Sequence, residues 1–240
     1  AALIVVPFGQ PSIAWFSSIA FLAIVILWRI GHWYRPQIAA RKFAAAEPHP
    51  DAPDSGRVKL ALAVLVALLF SKQLYVSSLS SYYIFYLIDK FSVSTQAAQL
   101  YLFLFLAANA VGVFFGGPLG DRFGRKYVIW FSILGALPFT LALPYAGLYA
   151  SAVLTVLIGL IISSATSSII VFAQELMPHR FGMISGVFFG VAFGIGGLGA
   201  AVLGEVADHT GIAFVYRICA FLPAIGLLAV FLPKMPKSAR

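Results

Sequence analysis

The sequence predicts an all-α protein, a polytopic bundle of membrane helices, and three observations predict it. Of its 240 residues 61% are hydrophobic and 10% charged, with a mean hydropathy of +0.96, whereas soluble domains carry roughly 25% charged residues. The apolar residues gather into runs close to the ~20 residues that cross a bilayer as a helix. Lys and Arg crowd the gaps on one side of those runs, the bias that orients helices during insertion. A soluble globular domain is excluded. So is a disordered chain, because 22 Phe, 10 Tyr and 4 Trp give far more apolar surface than disorder tolerates.

Taken in order, residues 1–10 are neither a signal peptide with a basic start nor a complete span, and the chain reads as cut from something longer. The first full run is about Ile13 to Trp33, closed by an aromatic and basic rim of Arg29, His32, Trp33, Tyr34 and Arg35 of the kind found at membrane surfaces. Residues 34–57 carry Pro36, Pro48, Pro50, Pro53 and Gly56 with mixed charge, the composition of a linker between two bundles. Six more runs lie near Val58–Ile88, Gln96–Gly116, Tyr127–Leu143, Leu148–Val171, Gly182–Gly204 and Ala213–Leu232.

Counted gap by gap, thirteen of the 16 Lys and Arg fall on one face, including Arg57, Arg122, Arg125, Lys126, Arg180 and Lys234, while Lys90 and Arg217 fall on the other and Lys72 within a run. The first face is expected to be cytoplasmic, with the linker and the C-terminus inside. The net charge of +8 follows from this topology, and no nucleic-acid partner is expected because the cations do not line one soluble face.

Between the third and fourth runs stands Gly117-x-x-x-Asp121-Arg122-x-Gly124-Arg125-Lys126. Glycines let two helix ends turn tightly, Asp121 suits the positive end of a neighbouring helix, and three cations hold the loop at the inner surface. An ordinary basic turn seldom orders these residues so. The signature resembles the loop motif of the major facilitator superfamily. Further stretches, Ser71–Phe91, Gly124–Trp130, Ala173–Arg180 and Gly196–Gly211, are similar to the bacterial fosmidomycin resistance protein family over nearly the whole chain.

That resemblance implies the C-terminal six-helix half of a major facilitator fold plus one preceding helix. Residues 1–33 would end an N-terminal bundle, 34–57 form the central cytoplasmic loop, 58–233 the C-terminal bundle and 234–240 a cytoplasmic tail. It implies a secondary transporter of the bacterial inner membrane. The substrate would be a drug such as fosmidomycin or a related metabolite, exported by alternating access, with protons and the missing N-terminal bundle as partners. A shorter repeat, Gly204-x-x-x-Asp208-x-x-Gly211, echoes Gly117-x-x-x-Asp121-x-x-Gly124 three runs later, as inverted three-helix repeats would place it. The loop residues Gly117, Asp121, Arg122, Gly124, Arg125 and Lys126 are expected to act as a conformational switch.

Candidate pathway residues come from polar groups inside the runs. An ionisable group within a membrane helix is a functional candidate because desolvation is costly, and Lys72 shares a helical face with Tyr75, Tyr82, Tyr83 and Tyr86. Lys72 would meet an anionic group such as a phosphonate, and Tyr75 and Tyr82 would add a ring and a hydroxyl. The competing reading has Lys72 snorkel to the surface and the tyrosines form a belt. In the fifth run Ser163, Ser167 and Gln174 share one face, a candidate polar pathway; Ser164, Ser168 and Glu175 share another, suited to holding a neighbouring helix. Gly186, Gly190 and Gly194, spaced by four, offer a smooth face for close packing or sliding in the sixth run.

None of the eight acids falls near a bilayer midplane in these runs, so a proton carrier is expected in the absent half. Cys219 and the scattered His32, His49, His179 and His209 form no metal cluster and no nucleophile–base constellation, so no enzyme activity, metal or cofactor is expected. A seven-helix receptor fits the count of runs, but the last run lacks a lysine for retinal. An uptake carrier for sugars or organic anions remains the alternative within the same family.

Overall fold

The computed structural model describes residues 21–33, 55–177 and 180–233, and no β-strand occurs among them. The chain divides into two units, Ala1–Pro53 and Asp54–Arg240. In the first, helix α1 (Phe21–Trp33) is apolar, and its Trp28 and His32 rings lie 5.5 Å apart, one turn along the same face. The rest of the first run, residues 34–54 of the linker and the tail over 234–240 lie outside the described residues, while residues 55–57, expected to end the linker, already belong to the next helix.

The second unit is α2 (Ser55–Phe91), α3 (Thr95–Phe123), α4 (Arg125–Ala142), a 3-10 turn (Leu143–Tyr145), α5 (Leu148–Leu176), α6 (Phe181–Thr210), α7 (Ile212–Cys219) and a 3-10 segment (Leu222–Phe231). Six stretches in it are long and apolar enough to cross a membrane, as the sequence predicts. Ser94 caps α3, its hydroxyl accepting from the Ala97 N–H at 3.3 Å. The last span differs from expectation. One continuous helix is expected over 213–232, but the α-helix stops at Cys219 and resumes as 3-10 from Leu222. Pro223 has no N–H to donate back to the Cys219 carbonyl, so the α ladder cannot pass that point.

α2 runs through the middle of the unit and belongs to two apolar cores. Its first half packs Leu65, Leu68 and Leu69 against Ile133 of α4, Phe172 of α5 and Phe188 of α6. Its second half packs Tyr75, Leu79, Tyr83 and Tyr86 against Phe105 of α3, Ile162 of α5 and Tyr216 of α7.

Close helix approach is made by different glycines from those expected. Gly112, Gly116 and Gly120 of α3 lie against α5: a methyl on Gly112 or Gly116 would run into the backbone of Leu160 or Ser164, and one on Gly120 would stand 2.7 Å from the Ser168 Oγ. On α6, an added methyl at Gly186, Gly190 or Gly194 would meet nothing within 4 Å. Within the described residues this stripe packs against no helix. α6 instead approaches α2 one face over, where a methyl on Gly204 would stand 2.6 Å from the Tyr82 hydroxyl. There α2 donates from Ser77 Oγ to the Gly196 carbonyl at 2.7 Å and from the Tyr82 hydroxyl to the Ala200 carbonyl at 2.5 Å.

Candidate functional site

The α3–α4 junction is a single residue. Gly124 takes φ 95° and ψ 129°, its N–H donates to the Gly120 carbonyl, and it ends α3 and starts α4 at once. An L side chain resists this positive φ, and glycine does not. The sharp reversal places Arg125 one turn beyond Asp121 and aims it back across the helix end. Arg125 Nη2 donates to Asp121 Oδ1 at 3.0 Å, and its Nη1 pairs with Glu175 Oε1 at the end of α5. Both groups keep some solvent contact, the Arg125 side chain being 21% exposed and that of Glu175 38%. The guanidinium therefore bridges two helices in a partly screened setting, where a pair is weaker than in the interior and more easily broken.

Lys126 reaches another element. Its Nζ donates to the Val230 carbonyl at 3.0 Å and to the Leu232 carbonyl, at the C-terminal end of the 3-10 segment. A cation there meets carbonyls that have no partner in the helix and the negative end of the helix dipole. Asp121, Gly124, Arg125 and Lys126 thus form one cluster that ties the α3–α4 turn to α5 and to the last span. Gly117 has no close neighbour, and Arg122 is exposed with its guanidinium 5.5 Å from the Phe123 ring centroid. Glu175 completes the cluster and was assigned by sequence only to a helix-holding face. Its place one residue from the end of a serine-rich helix carries no sign of which basic loop it meets.

The second G-x-x-x-D-x-x-G stretch folds the same way. Gly211 has φ 85° and ψ 152°, and its N–H donates to the Ala207 carbonyl. The side-chain contact beside it, His209 Nε2 with Glu205 Oε1 at 3.1 Å, stays on α6.

The pathway candidates are not gathered in one place. Lys72 and Tyr75 are buried in α2, 3% and 2% exposed, and Lys72 has neither an ion pair nor a hydrogen bond among the described residues. Tyr82 is spent on the α6 backbone. In α5 the two serine faces separate cleanly. Ser164 Oγ lies 2.5 Å from Ser132 Oγ of α4, and Ser168 Oγ donates to the Gly116 carbonyl of α3 at 3.3 Å, so this face joins helices. On the other face the Ser163 and Ser167 hydroxyls are buried with no hydrogen-bond partner, and Gln174 Nε2 donates to Ser185 Oγ of α6 at 2.9 Å.

The sequence reading missed a hydroxyl-rich cluster at the opposite end from the basic loop. Tyr83 and Thr155 hydroxyls are 3.2 Å apart, the Tyr86 and Tyr216 rings stack at 4.3 Å, and the Tyr216 and Ser151 hydroxyls are buried without partners. Lys90 closes that end, donating to the Tyr86 hydroxyl at 2.9 Å, the Pro144 carbonyl at 2.7 Å and the Ala146 carbonyl at 3.0 Å. Tyr83 and Tyr86 are visible on the tyrosine face of α2, whereas Ser151 and Tyr216 join them only through helix packing.

Among known proteins the chain is similar to the Fosmidomycin resistance protein of Escherichia coli (strain K12), 56% identical over 97% of this chain and 57% of that protein. It is 39% identical to an uncharacterized MFS-type transporter of Bacillus subtilis (strain 168), over 98% of this chain and 58% of that protein. A Gallate transporter of Pseudomonas putida is 32% identical over 55% of this chain and 29% of that protein. The chain thus spans a little over half the length of the first two relatives. No solved structure matches it. The profile of the Major Facilitator Superfamily matches residues 1–197 and, again, 60–240. With six spanning helices and the basic glycine turn between α3 and α4, the chain belongs to the Major Facilitator Superfamily.

Proposed function

We propose that this chain is the C-terminal part of a secondary transporter of a bacterial inner membrane that exports fosmidomycin or a similar small anionic drug in exchange for protons. The observation that carries this reading is the 56% identity, over 97% of the chain, to a relative named for fosmidomycin resistance. Transport by alternating access needs a second bundle facing this one, and the greater length of the relatives leaves room for it. The α3–α4 turn supports a switch. Its Arg125–Glu175 pair and Lys126 contacts join three elements through bonds that a modest rearrangement can break, so they would stabilise one conformation over another. The basic turn, the linker and the C-terminus then face the cytoplasm.

Along this bundle the substrate would pass the buried hydroxyls of Ser163 and Ser167, which lack partners, and at separate points Lys72, Tyr75, Tyr82 and Gln174, the last two on release of their bonds to Ala200 and Ser185. Lys72 would compensate the charge of a phosphonate. Every acid among the described residues lies near a helix end, Asp89, Asp121, Glu175, Glu205 and Asp208 alike, which supports a proton carrier outside them. The similarity to a gallate transporter favours, as a second reading, a carrier of other organic anions.

Everted vesicles containing the protein test both. A proton gradient should drive saturable fosmidomycin accumulation that an uncoupler abolishes, and Lys72→Gln should weaken phosphonate uptake at least tenfold more than that of a neutral analogue. Accumulation of gallate but not fosmidomycin would favour the second reading. Gradient-independent accumulation would overturn proton exchange.

A further inference from the structure

An apolar groove of about 570 Å³ opens on the surface between α3 and α4. Its origin is legible in the register of α3. Gly112, Gly116 and Gly120 draw that helix onto α5, and the residues one position earlier, Val111, Phe115 and Leu119, turn about 100° away and with Phe123 form one wall at four-residue intervals. Tyr127 and Phe131 of α4 form the other wall and α5 the floor. Most of the wall is outward-facing: Phe115 is 54%, Tyr127 62% and Phe131 66% exposed. The hydroxyls lining the groove are already satisfied, since those of Ser132 and Ser164 bond to each other.

Length and charge identify the occupant. From Val111 to Phe123 α3 rises roughly 18 Å at ~1.5 Å per residue, close to one leaflet of a hydrocarbon core ~30 Å thick. The groove ends at the basic turn, and the cation beside that end is uncommitted. Arg125 is engaged by Asp121 and Glu175 and Lys126 by backbone carbonyls. Arg122 is exposed, stands over the ring of Phe123 at the groove's end, and has no ion pair among the described residues.

We propose that this groove binds one anionic phospholipid, an acyl chain lying along Phe115, Leu119 and Phe131 and the phosphate held by Arg122. The apolar lining selects a hydrocarbon chain, and the lone guanidinium selects the charge of its headgroup. The proposal rests on the membrane reading of the bundle and not on the identity of the transported substrate, so failure of fosmidomycin transport leaves it standing.

Native mass spectrometry of the purified protein with phosphatidylglycerol or phosphatidylcholine of equal chain length tests it. One phosphatidylglycerol should be retained per protein, at least tenfold more tightly than phosphatidylcholine. Arg122→Gln should reduce that preference to near unity, and Leu119→Trp, which fills the groove, should lower retention of both lipids. Val111→Phe repeats the filling at the other end if Leu119→Trp does not fold. Equal retention of the two lipids by the wild type, or unchanged phosphatidylglycerol retention in either kind of variant, would overturn the proposal. Displacement of the lipid by inorganic phosphate alone would overturn it too, by showing that Arg122 holds a free anion and the groove holds nothing.

Discussion

The α3–α4 and α6–α7 junctions are built on the same eight-residue pattern, and they differ in what holds them. In both, one glycine at positive φ closes a helix and opens the next, with its N–H on the carbonyl four residues back. At Gly124 the flanking charges cross to other elements, Arg125 to Glu175 of α5 and Lys126 to the end of the last span. At Gly211 the flanking pair, Glu205 with His209, remains on its own helix. The backbone hinge is therefore common to the two turns, and the electrostatic tie belongs to one. In the alternating-access cycle proposed above, such an asymmetry among the described residues would let a tie at one end bias the bundle while the other end follows.

The largest effect is expected where the two turns are alike. A methyl at Gly124 would meet Tyr127 Cδ2 at 3.5 Å, an ordinary contact, and one at Gly211 would meet nothing within 4 Å, so the cost of either substitution is backbone strain alone. Gly124→Ala and Gly211→Ala should each destabilise the protein by about 1–3 kcal/mol, read as similar drops in thermal midpoint in detergent. A drop at one position and none at the other would break the equivalence.

A smaller effect should separate the turns. Glu175→Gln removes the cross-helix ion pair, a partly exposed contact of about 0.2–1 kcal/mol. It should raise amide hydrogen exchange across residues 117–126 severalfold while leaving residues 204–211 unchanged. Equal loosening of both turns would mean that Glu175 supports the bundle as a whole. The smallest effect is expected from Glu205→Gln, whose largely exposed contact with His209 lies within one helix: neither the thermal midpoint nor exchange at either turn should move. A clear response there would reveal a tie at the second turn that the described residues do not contain.

Much of this was legible before folding. The positions of the spans follow from the lengths of the apolar runs, and the equivalence of the two turns from the repeat of Gly, Asp and Gly at fixed spacing. The pairing of Ser164 and Ser168 with neighbouring helices also follows, because their four-residue spacing puts two small hydroxyls on one face. The break at Ala220 was not read, although Pro223 announces it: the run stays apolar through the proline, and hydropathy does not register a missing N–H.

The two glycine stripes show where sequence stops. Gly112, Gly116, Gly120 and Gly186, Gly190, Gly194 have the same spacing, and each marks a smooth helix face. One is pressed against α5 and the other meets nothing in the described bundle. Glu175 and Tyr216 are similar cases, since neither carries a local sign of the group it faces. By itself the sequence determined what can be read along one helix: span, face, hinge and the charge of each end, all set by the 3.6-residue period and by the cost of placing polar groups in lipid. Which faces meet was decided by the tertiary structure, because partnership between residues far apart in the chain depends on how whole helices cross, and no local pattern encodes that.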